Sequence, residues 1–227
     1  TQKYDIIVIA PADSKAMVTP LAKAIKAGIT VINIDVELDA EAKKAAGIDL
    51  AFFGPDNRLG AKLAGDALAK ALGKGGKVVI LEGNPEADNA VQRKLGFMDS
   101  VAAGELVLLD SKTAHWETEE ANTLATNFLT QYPDVQGIMC ANDSMALGAV
   151  KAVEAAGKSG QILVVGFDNI PAVQPLIKEG KMLATIEQYG AQMAVIGIDY
   201  GIRTFRGETF TGWVKTDVKL VLAEDLK

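Results

Sequence analysis

Two polar tips follow predicted buried strands, and they are the first candidates for chemistry. Asn142 follows the apolar run Ile138–Ala141, and Asp168 follows the apolar run Ile162–Val165. In open α/β sheets, ligands bind at the carboxyl ends of the strands. A carboxamide and a carboxylate at two such ends suit a ligand rich in hydroxyl groups. The alternative is that both side chains only cap the helices that follow, because Asn and Asp oxygens accept hydrogen bonds from free N–H groups.

The rest of the sequence offers little for catalysis. His115 is the single histidine, which excludes a pair of histidine metal ligands and disfavours a serine triad. The glycine-rich run 73–77 lacks the spacing of a phosphate-binding loop and precedes a strand, so we interpret it as a turn that ends a helix. The single Cys140 excludes an internal disulfide, and its apolar surroundings indicate a small buried hydrophobe. We therefore predict no enzyme activity, no cofactor and no metal site.

Composition places the chain among soluble globular proteins. Of its 227 residues, 49% are hydrophobic and 23% are charged, and the length suffices for one large α/β domain or two small lobes. The net charge of −6 and the pI of 4.9 argue against a nucleic-acid surface, which needs clustered Lys and Arg. Neither a signal peptide nor an apolar run of membrane-spanning length occurs. Because the sequence opens on Thr1 without Met, we expect a processed, trimmed or partial chain.

The elements that must carry these residues alternate between short apolar runs and helical patterns. This alternation predicts an α/β fold with parallel sheets covered by helices. The charged, aperiodic stretch Val36–Asp49 predicts a surface loop. The predicted strands are Tyr4–Ala10, Ile29–Ile34, Leu50–Phe53, Lys77–Glu82, Glu105–Ser111, Gln136–Ala141, Ile162–Gly166, Met182–Gln188 and Val214–Val221. The predicted helices include Ala16–Ile25, Leu59–Leu72 and Ala191–Phe205.

A set of motifs then stands out along nearly the whole chain. They are PADSKAM, GITVINID, PDNRLGAKLAGD, QRKLGF, YPDVQGIMCANDSMALGAVKAV, VVGFDNIP and MLATIEQ, together with Trp116. In this unbroken order they resemble the ribose-binding-protein type of periplasmic sugar-binding protein. The resemblance implies two Rossmann-like lobes of the periplasmic-binding-protein type I, joined by a three-strand hinge. It also implies non-catalytic binding of a monosaccharide or sugar alcohol in a cleft between the lobes, and delivery to the membrane permease of an ABC importer. The implied location is the periplasm, or the outer surface through a lipid anchor in a Gram-positive source.

An effector-binding domain of a LacI-type transcriptional regulator is the alternative that these motifs leave open. Such domains share the fold and the NDSMALG and GFDN signatures. They would carry a DNA-binding helix-turn-helix, and none is visible in this sequence.

The resemblance assigns ligand-binding roles to six residues that together supply acceptors, donors and one aromatic ring. They are Asp35, Arg93, Trp116, Asn142, Asp168 and Gln188. Asp35 would accept hydrogen bonds from sugar hydroxyls, and Arg93 would donate to them. Trp116 would stack on an apolar sugar face. The alternatives are a surface cation for Arg93 and a loop-packing aromatic for Trp116.

Two departures from ribose binders bear on the identity of the ligand. Val36 follows Asp35 where ribose binders have an arginine, so a second bidentate donor is missing. Ala10 replaces an asparagine that contributes from the first lobe. These departures weaken the case for ribose and favour another pentose, a hexose or a sugar alcohol.

The predicted lobe boundaries follow from the same resemblance. The first lobe comprises residues 1–54 and 190–213, and the second comprises residues 55–189 and 214–227. Family members begin with two further strand–helix units, so we expect the first lobe to be incomplete and the second complete. An incomplete lobe would expose a sheet edge at Tyr4–Ala10, and exposed edges favour association. We therefore expect self-association or a missing N-terminal segment.

Overall fold

The computed structural model describes residues 3–226, and the chain divides into two units. Unit 1 consists of Thr1–Asp56, Glu86–Asn89 and Tyr189–Asp217. Unit 2 consists of Asn57–Pro85, Ala90–Gln188 and Val218–Lys227.

Ten strands and eight α-helices lie within residues 3–226. The strands are β1 (Ile6–Ile9), β2 (Thr30–Ile34), β3 (Phe52–Pro55), β4 (Lys77–Glu82), β5 (Val107–Thr113), β6 (Gly137–Cys140), β7 (Leu163–Val165), β8 (Thr185–Glu187), β9 (Trp213–Thr216) and β10 (Lys219–Val221). The helices are α1 (Val18–Lys26), α2 (Ala40–Ala46), α3 (Asn57–Leu72), α4 (Asp88–Ala103), α5 (Thr118–Gln131), α6 (Asp143–Ala155), α7 (Gln174–Lys178) and α8 (Gly190–Phe205). In this described range, none of the helices combines the length and the apolar character that crossing a membrane requires.

Unit 1 is built on a parallel sheet with the strand order β1-β2-β3-β9. Successive side chains of a strand point to opposite faces of the sheet, so neighbours on β2 enter different clusters. Val31 packs in a cluster with Leu21 and Leu38. Ile32 packs in another cluster with Phe53. Unit 1 therefore has two small hydrophobic cores instead of one large one.

Helix α8 approaches this sheet closely on one side and leaves apolar residues exposed on the other. A Cβ atom at Gly197 would lie 2.9 Å from methyl groups of both Val8 and Ile34, so only glycine permits this approach. The exposed side chains recur at the spacing of one helical face. They are Val195, Ile198, Ile202 and Phe205.

The structure corrects the prediction that Val36–Asp49 is a loop, because helix α2 lies within it. The side chain of Asp39 caps this helix, its Oδ1 accepting a hydrogen bond of 2.8 Å from the N–H of Ala42. Gly47 ends the helix in the left-handed conformation, with φ of 67°. The helix buries none of its residues fully, so the stretch carries no apolar period for a sequence pattern to detect.

The structure also corrects the prediction of one last strand at Val214–Val221. Strand β9 pairs in parallel with β3, and strand β10 pairs in antiparallel with β8. Residues 214–217 therefore belong to unit 1, although they were predicted in the second lobe. The pair of β8 and β10 is an antiparallel exception to the predicted parallel order. The choice of a pairing partner depends on tertiary contacts, which the local pattern does not encode.

Unit 2 contains a second parallel sheet with the strand order β5-β4-β6-β7. Ile80 of β4 and Ile138 of β6 are fully buried in one continuous hydrophobic cluster, as expected for strands covered on both faces. Cys140 is buried in the same cluster, which confirms its prediction as a small hydrophobe. The carboxyl ends of these rigid strands are the positions from which polar residues can be presented with fixed geometry.

Candidate functional site

Three neighbouring segments of unit 2 lead into polar residues at one edge of its sheet. Asn142 follows β6, Asp168 follows β7, and Gln188 follows β8. Strands β6 and β7 are parallel, and a parallel bridge between Val165 and Ala184 continues this order towards β8. The Nε2 of Gln188 donates a hydrogen bond of 2.7 Å to Oδ1 of Asp168. The structure therefore brings Asp168 and Gln188 into contact, with Asn142 at the same edge.

Arg93 lies beneath this pair, and its side chain is only 3% exposed. Its Nε donates to Oδ1 of Asn57 at 2.8 Å, and its Nη1 donates to the carbonyl of Ala141 at 2.9 Å. Longer contacts join Nη1 to Oδ1 of Asp168 at 3.5 Å and Nη2 to Oε1 of Gln188 at 3.4 Å. The alternative that Arg93 is a surface cation is therefore wrong.

Two aromatic rings flank the guanidinium group of Arg93. Its Cζ lies 3.7 Å from the ring centroid of Phe167 and 5.6 Å from that of Trp116, distances at which a cation is attracted to an aromatic face. The indole of Trp116 also packs on the backbone at Gly83, where a Cβ atom would overlap the ring. Trp116 has φ of 71° and is half-buried. Trp116 is therefore a loop-packing aromatic residue, which was the alternative, and its ring also lies near the guanidinium group of Arg93.

The capping alternative holds for Asn142 but not for Asp168. The Oδ1 of Asn142 accepts a hydrogen bond of 2.9 Å from the N–H of Met145 and so caps α6. This cap uses the oxygen, and the amide nitrogen is the atom that can donate to a ligand. Asp168 lies well before α7, which begins at Gln174 with Val173 at its N-cap.

Asp35 lies in unit 1, directly after β2, while the other five predicted site residues lie in unit 2. It has φ of 63°, and its N–H donates to the carbonyl of Phe53 at 3.0 Å. The fully buried Asn33 holds this turn, because its side chain donates to the carbonyl of Val36 and accepts from the N–H of Leu38. The ligand-binding role of Asp35 stays a prediction.

Sequence reasoning missed Asp143, a fully buried carboxyl group beside Asn142. Its Oδ1 accepts a hydrogen bond of 2.7 Å from the hydroxyl of Thr185, and its Oδ2 accepts one of 3.0 Å from the N–H of Ile170. Burial raises the pKa of Asp143 to about 8, and the negative charge of Asp168 adds to that shift. These hydrogen bonds oppose the shift without cancelling it.

Asn57 was missed as well, although it accepts a hydrogen bond of 2.8 Å from Nε of Arg93. It stands just after Pro55 and Asp56, residue types that are common in turns. The pattern of polar and apolar residues does not separate a buried polar side chain from a solvated cap. Only the tertiary structure reveals the burial of these two residues, because the partners of Asp143 lie 27 and 42 residues away in the sequence and the partner of Asn57 lies 36 residues away.

The fold and the motifs define the class of protein to which this chain belongs. A family model described as the periplasmic binding protein domain matches residues 1–209, so the chain belongs to the periplasmic binding protein family. The chain is 46% identical over 223 residues to the D-ribose/D-allose-binding protein of Pseudomonas aeruginosa, covering 96% of this chain and 70% of that protein.

Solved structures give the same class. An ABC transporter periplasmic solute-binding protein from Actinobacillus succinogenes with bound D-allose matches with a TM-score of 0.92 and 41% identity, over 97% of this chain and 78% of that one. The Caulobacter myo-inositol binding protein bound to myo-inositol matches with a TM-score of 0.91 and 28% identity, over 99% of this chain and 76% of that one. The resemblance read from the motifs is thereby confirmed, as is the α/β fold class with two Rossmann-like lobes.

Proposed function

We propose that the chain binds a neutral monosaccharide or sugar alcohol at the strand-end edge of unit 2, without catalysis. The observation that carries the proposal is the buried Arg93, held by Asp168, Gln188 and the carbonyl of Ala141. A buried guanidinium group is expensive to desolvate unless it is paired and hydrogen-bonded. Its presence at the mouth of parallel strands, where ligands of such sheets bind, supports a recognition role.

The mixture of groups at this edge suits hydroxyl groups. Arg93 and the amide nitrogen of Asn142 can donate, the carboxylate of Asp168 can accept, and the amide of Gln188 can do both. A sugar hydroxyl both donates and accepts hydrogen bonds. A donor or acceptor that is left without a hydrogen bond in a site closed to water costs about 1–3 kcal/mol. On the resemblance alone, we propose Asp35 as a further acceptor.

The charge balance favours a neutral ligand over an anionic one. The positive charge of Arg93 is matched by the carboxylate of Asp168 at 3.5 Å, so the pair offers no excess positive charge to a phosphate or a carboxylate. The ring of the half-buried Trp116 is a flat apolar surface of the kind on which the C–H face of a sugar ring can stack.

The names of the relatives support a role in transport. The relative from Pseudomonas aeruginosa is named a D-ribose/D-allose-binding protein, and the protein from Actinobacillus succinogenes is named an ABC transporter periplasmic solute-binding protein with bound D-allose. We propose that this chain likewise presents its sugar to the permease of an ABC importer, in the periplasm or anchored by lipid outside a Gram-positive cell. None of the relatives named above is described as a transcriptional regulator, so they lend no support to the LacI-type alternative.

A ligand screen tests the proposal on the chain as it stands. D-ribose, D-allose and myo-inositol are titrated by calorimetry and by thermal shift, with D-ribose 5-phosphate as the anionic control. A ligand that binds only the native state stabilises it by about 2.7 kcal/mol at a hundred times its Kd, so the melting temperature should rise with at least one neutral compound. Stronger binding of the phosphate would contradict the neutral site, and no response to any neutral compound would contradict sugar binding.

A further inference from the structure

Asp143 links the segments that carry two of the proposed ligand-binding residues. Its carboxyl group accepts from the N–H of Ile170 in the turn that carries Asp168, and from the hydroxyl of Thr185 on the strand that leads to Gln188. Its own N–H donates to the carbonyl of Phe167 at 2.8 Å, in the same turn. One residue at the start of α6 therefore joins the ends of β7 and β8.

The turn after β7 is folded tightly around this carboxyl group. A Cβ atom at Gly166 would overlap Oδ1 of Asp143, so glycine is required there. Asp168 has φ of 116° and Asn169 has φ of 53°. Non-glycine residues keep such conformations only where their surroundings fix them. Asp143 and Thr185 provide that fixing, since the hydroxyl of Thr185 also accepts a hydrogen bond of 3.2 Å from the N–H of Asn169.

We propose that Asp143 is a positioning residue that holds Asp168 and Gln188 in their ligand-binding geometry as a neutral carboxylic acid, and that its ionisation weakens ligand binding. This inference rests on the proposed function of the same site. It adds a regulating group that does not itself touch the ligand.

The neutral form follows from the surroundings of Asp143. Burial is the larger reason that its pKa rises to about 8, and the nearby carboxylate of Asp168 is the second. A neutral carboxylic acid accepts on one oxygen and donates or accepts on the other, so it can keep both contacts with Thr185 and Ile170. Above pH 8, ionisation would place a second negative charge beside Asp168 and push the two carboxylates apart. The turn that carries Asp168 would then leave the geometry that binds the ligand.

The other ionisable groups around Asp143 differ in what they can contribute between pH 6 and pH 9. Cys140 lies on β6, and burial followed by the charge of Asp143 raises the pKa of its thiol well above the usual value, so it stays neutral. Arg93 pairs with Asp168 and stays positively charged. Glu187 lies on the same side of β8 as Thr185 and accepts from the side-chain amide of Asn169 at 2.9 Å. A variant that removes only the Asp143 titration separates its effect from those of its neighbours.

The test is the Kd of the tightest-binding compound among D-allose, D-ribose and myo-inositol, measured calorimetrically between pH 6.5 and pH 9.0. If only the neutral form binds, the Kd of the unmodified chain should rise about tenfold over this range, because about a tenth of the molecules keep Asp143 protonated at pH 9.0. Asp143→Asn, which is permanently neutral, should bind at pH 6.5 within about threefold of the unmodified chain and should change little with pH. Asp99→Asn, on the surface of unit 2, is the matched control and should keep the full pH dependence.

Each result decides between separate claims. No sugar binding at any pH would refute the proposed function itself. Sugar binding that is independent of pH, or an unaltered pH dependence in Asp143→Asn, would overturn the inference and leave the proposed function standing. Loss of binding at every pH in a folded Asp143→Asn variant would mean that the ionised form is the one that positions the site.

Thr185 supplies a second test that does not require a change at Asp143. Its hydrogen bond lowers the pKa of Asp143, so Thr185→Val should move the alkaline loss of affinity to higher pH. Thr185→Ser keeps the hydroxyl and should restore the original midpoint. A midpoint that is the same in all three proteins would contradict the coupling even if Asp143→Asn failed to fold.

Discussion

Each unit holds an aspartate after a strand at positive φ, 63° for Asp35 in unit 1 and 116° for Asp168 in unit 2, but the two turns are fixed by different means. In unit 1, the turn at Asp35 is fixed by Asn33, which bonds to backbone groups three and five residues further along the chain. In unit 2, the turn at Asp168 is fixed by Asp143, whose partners lie 27 and 42 residues away. The turn at Asp35 is held by an uncharged side chain from the same stretch of sequence. The turn at Asp168 is held by contacts between distant parts of the chain, and we propose that it depends on the protonation of Asp143.

The hydrophobic core of unit 2 is also more extensive than that of unit 1. Unit 2 surrounds its strands with one continuous cluster, and unit 1 divides its apolar residues between two small clusters. Unit 1 also leaves the apolar strip Val195, Ile198, Ile202 and Phe205 of α8 exposed. A rigid, deeply buried scaffold is what a binding site built from precise polar contacts needs. Five of the six predicted ligand-binding residues lie in unit 2.

The largest expected effect tests the dependence of unit 2 on its tertiary network. Arg93→Met should lower the free energy of unfolding by about 3–5 kcal/mol, because the buried Asn57 loses its hydrogen-bond donor and the partly buried carboxylate of Asp168 loses its cation. It should also abolish sugar binding. Denaturant unfolding and calorimetry measure the two effects.

Arg58→Met is the matched control for this variant. Arg58 makes a bidentate pair with Asp99 at 2.6 and 2.8 Å, but the two side chains are 50% and 35% exposed. Exposed pairs contribute little, so this change should be far milder and should not affect binding. Equal losses of stability in the two variants would remove the contrast between buried and exposed ion pairs.

The next effect tests the local turn of unit 1. Asn33→Ala should lower the free energy of unfolding by about 2–3 kcal/mol, since the carbonyl of Val36 and the N–H of Leu38 lose their partner. Asn33→Asp should not rescue it, because a carboxylate cannot donate to the carbonyl of Val36. Asn127→Ala, at an exposed helical position, is the control and should be nearly neutral. Rescue by Asn33→Asp would show that the donor bond contributes nothing.

A smaller effect distinguishes the two tryptophans, one in each unit. Trp116→Ala should weaken sugar binding by about 1–3 kcal/mol, and Trp116→Phe should keep most of the affinity. The emission of Trp116 should change when sugar is added. Trp213, whose Nε1 donates to the carbonyl of Gly54 in unit 1, is the internal control. A sugar-induced signal that persists undiminished in Trp116→Phe would assign the response to Trp213 and contradict the stacking role.

The fold was largely predictable because its strands are continuous apolar runs. The predicted strand Lys77–Glu82 has the same bounds in the structure. A strand that is buried on both faces is a continuous apolar run, which is easy to recognise in the sequence. Helix α2 was missed because it buries none of its residues fully. The division of the last strand into β9 and β10 was missed because each half has a different partner, and local alternation is the same for both.

The site was predictable only in part, for a related reason. Asn142 and Asp168 were recognised from their place after apolar runs, which is a local feature. The burial of Arg93 was not, because its compensation comes from Asn57, Asp168 and Gln188, which lie between 36 and 95 residues away. Asp143 shows the same limit, since an acidic residue at a helix start is usually a solvated one.

The smallest expected effect returns to unit 1 and to the helix that the sequence pattern did not reveal. Asp39→Ala removes the N-cap of α2 and should lower the free energy of unfolding by about 1 kcal/mol, because the N–H of Ala42 loses its acceptor. Asp39→Asn keeps an acceptor oxygen and should restore most of the loss. Glu41→Ala, which changes an acidic residue in the same helical turn, is the matched control and should have a smaller effect. If Asp39→Ala were as stable as the unmodified chain in denaturant unfolding, the cap would not be what holds this short helix in place.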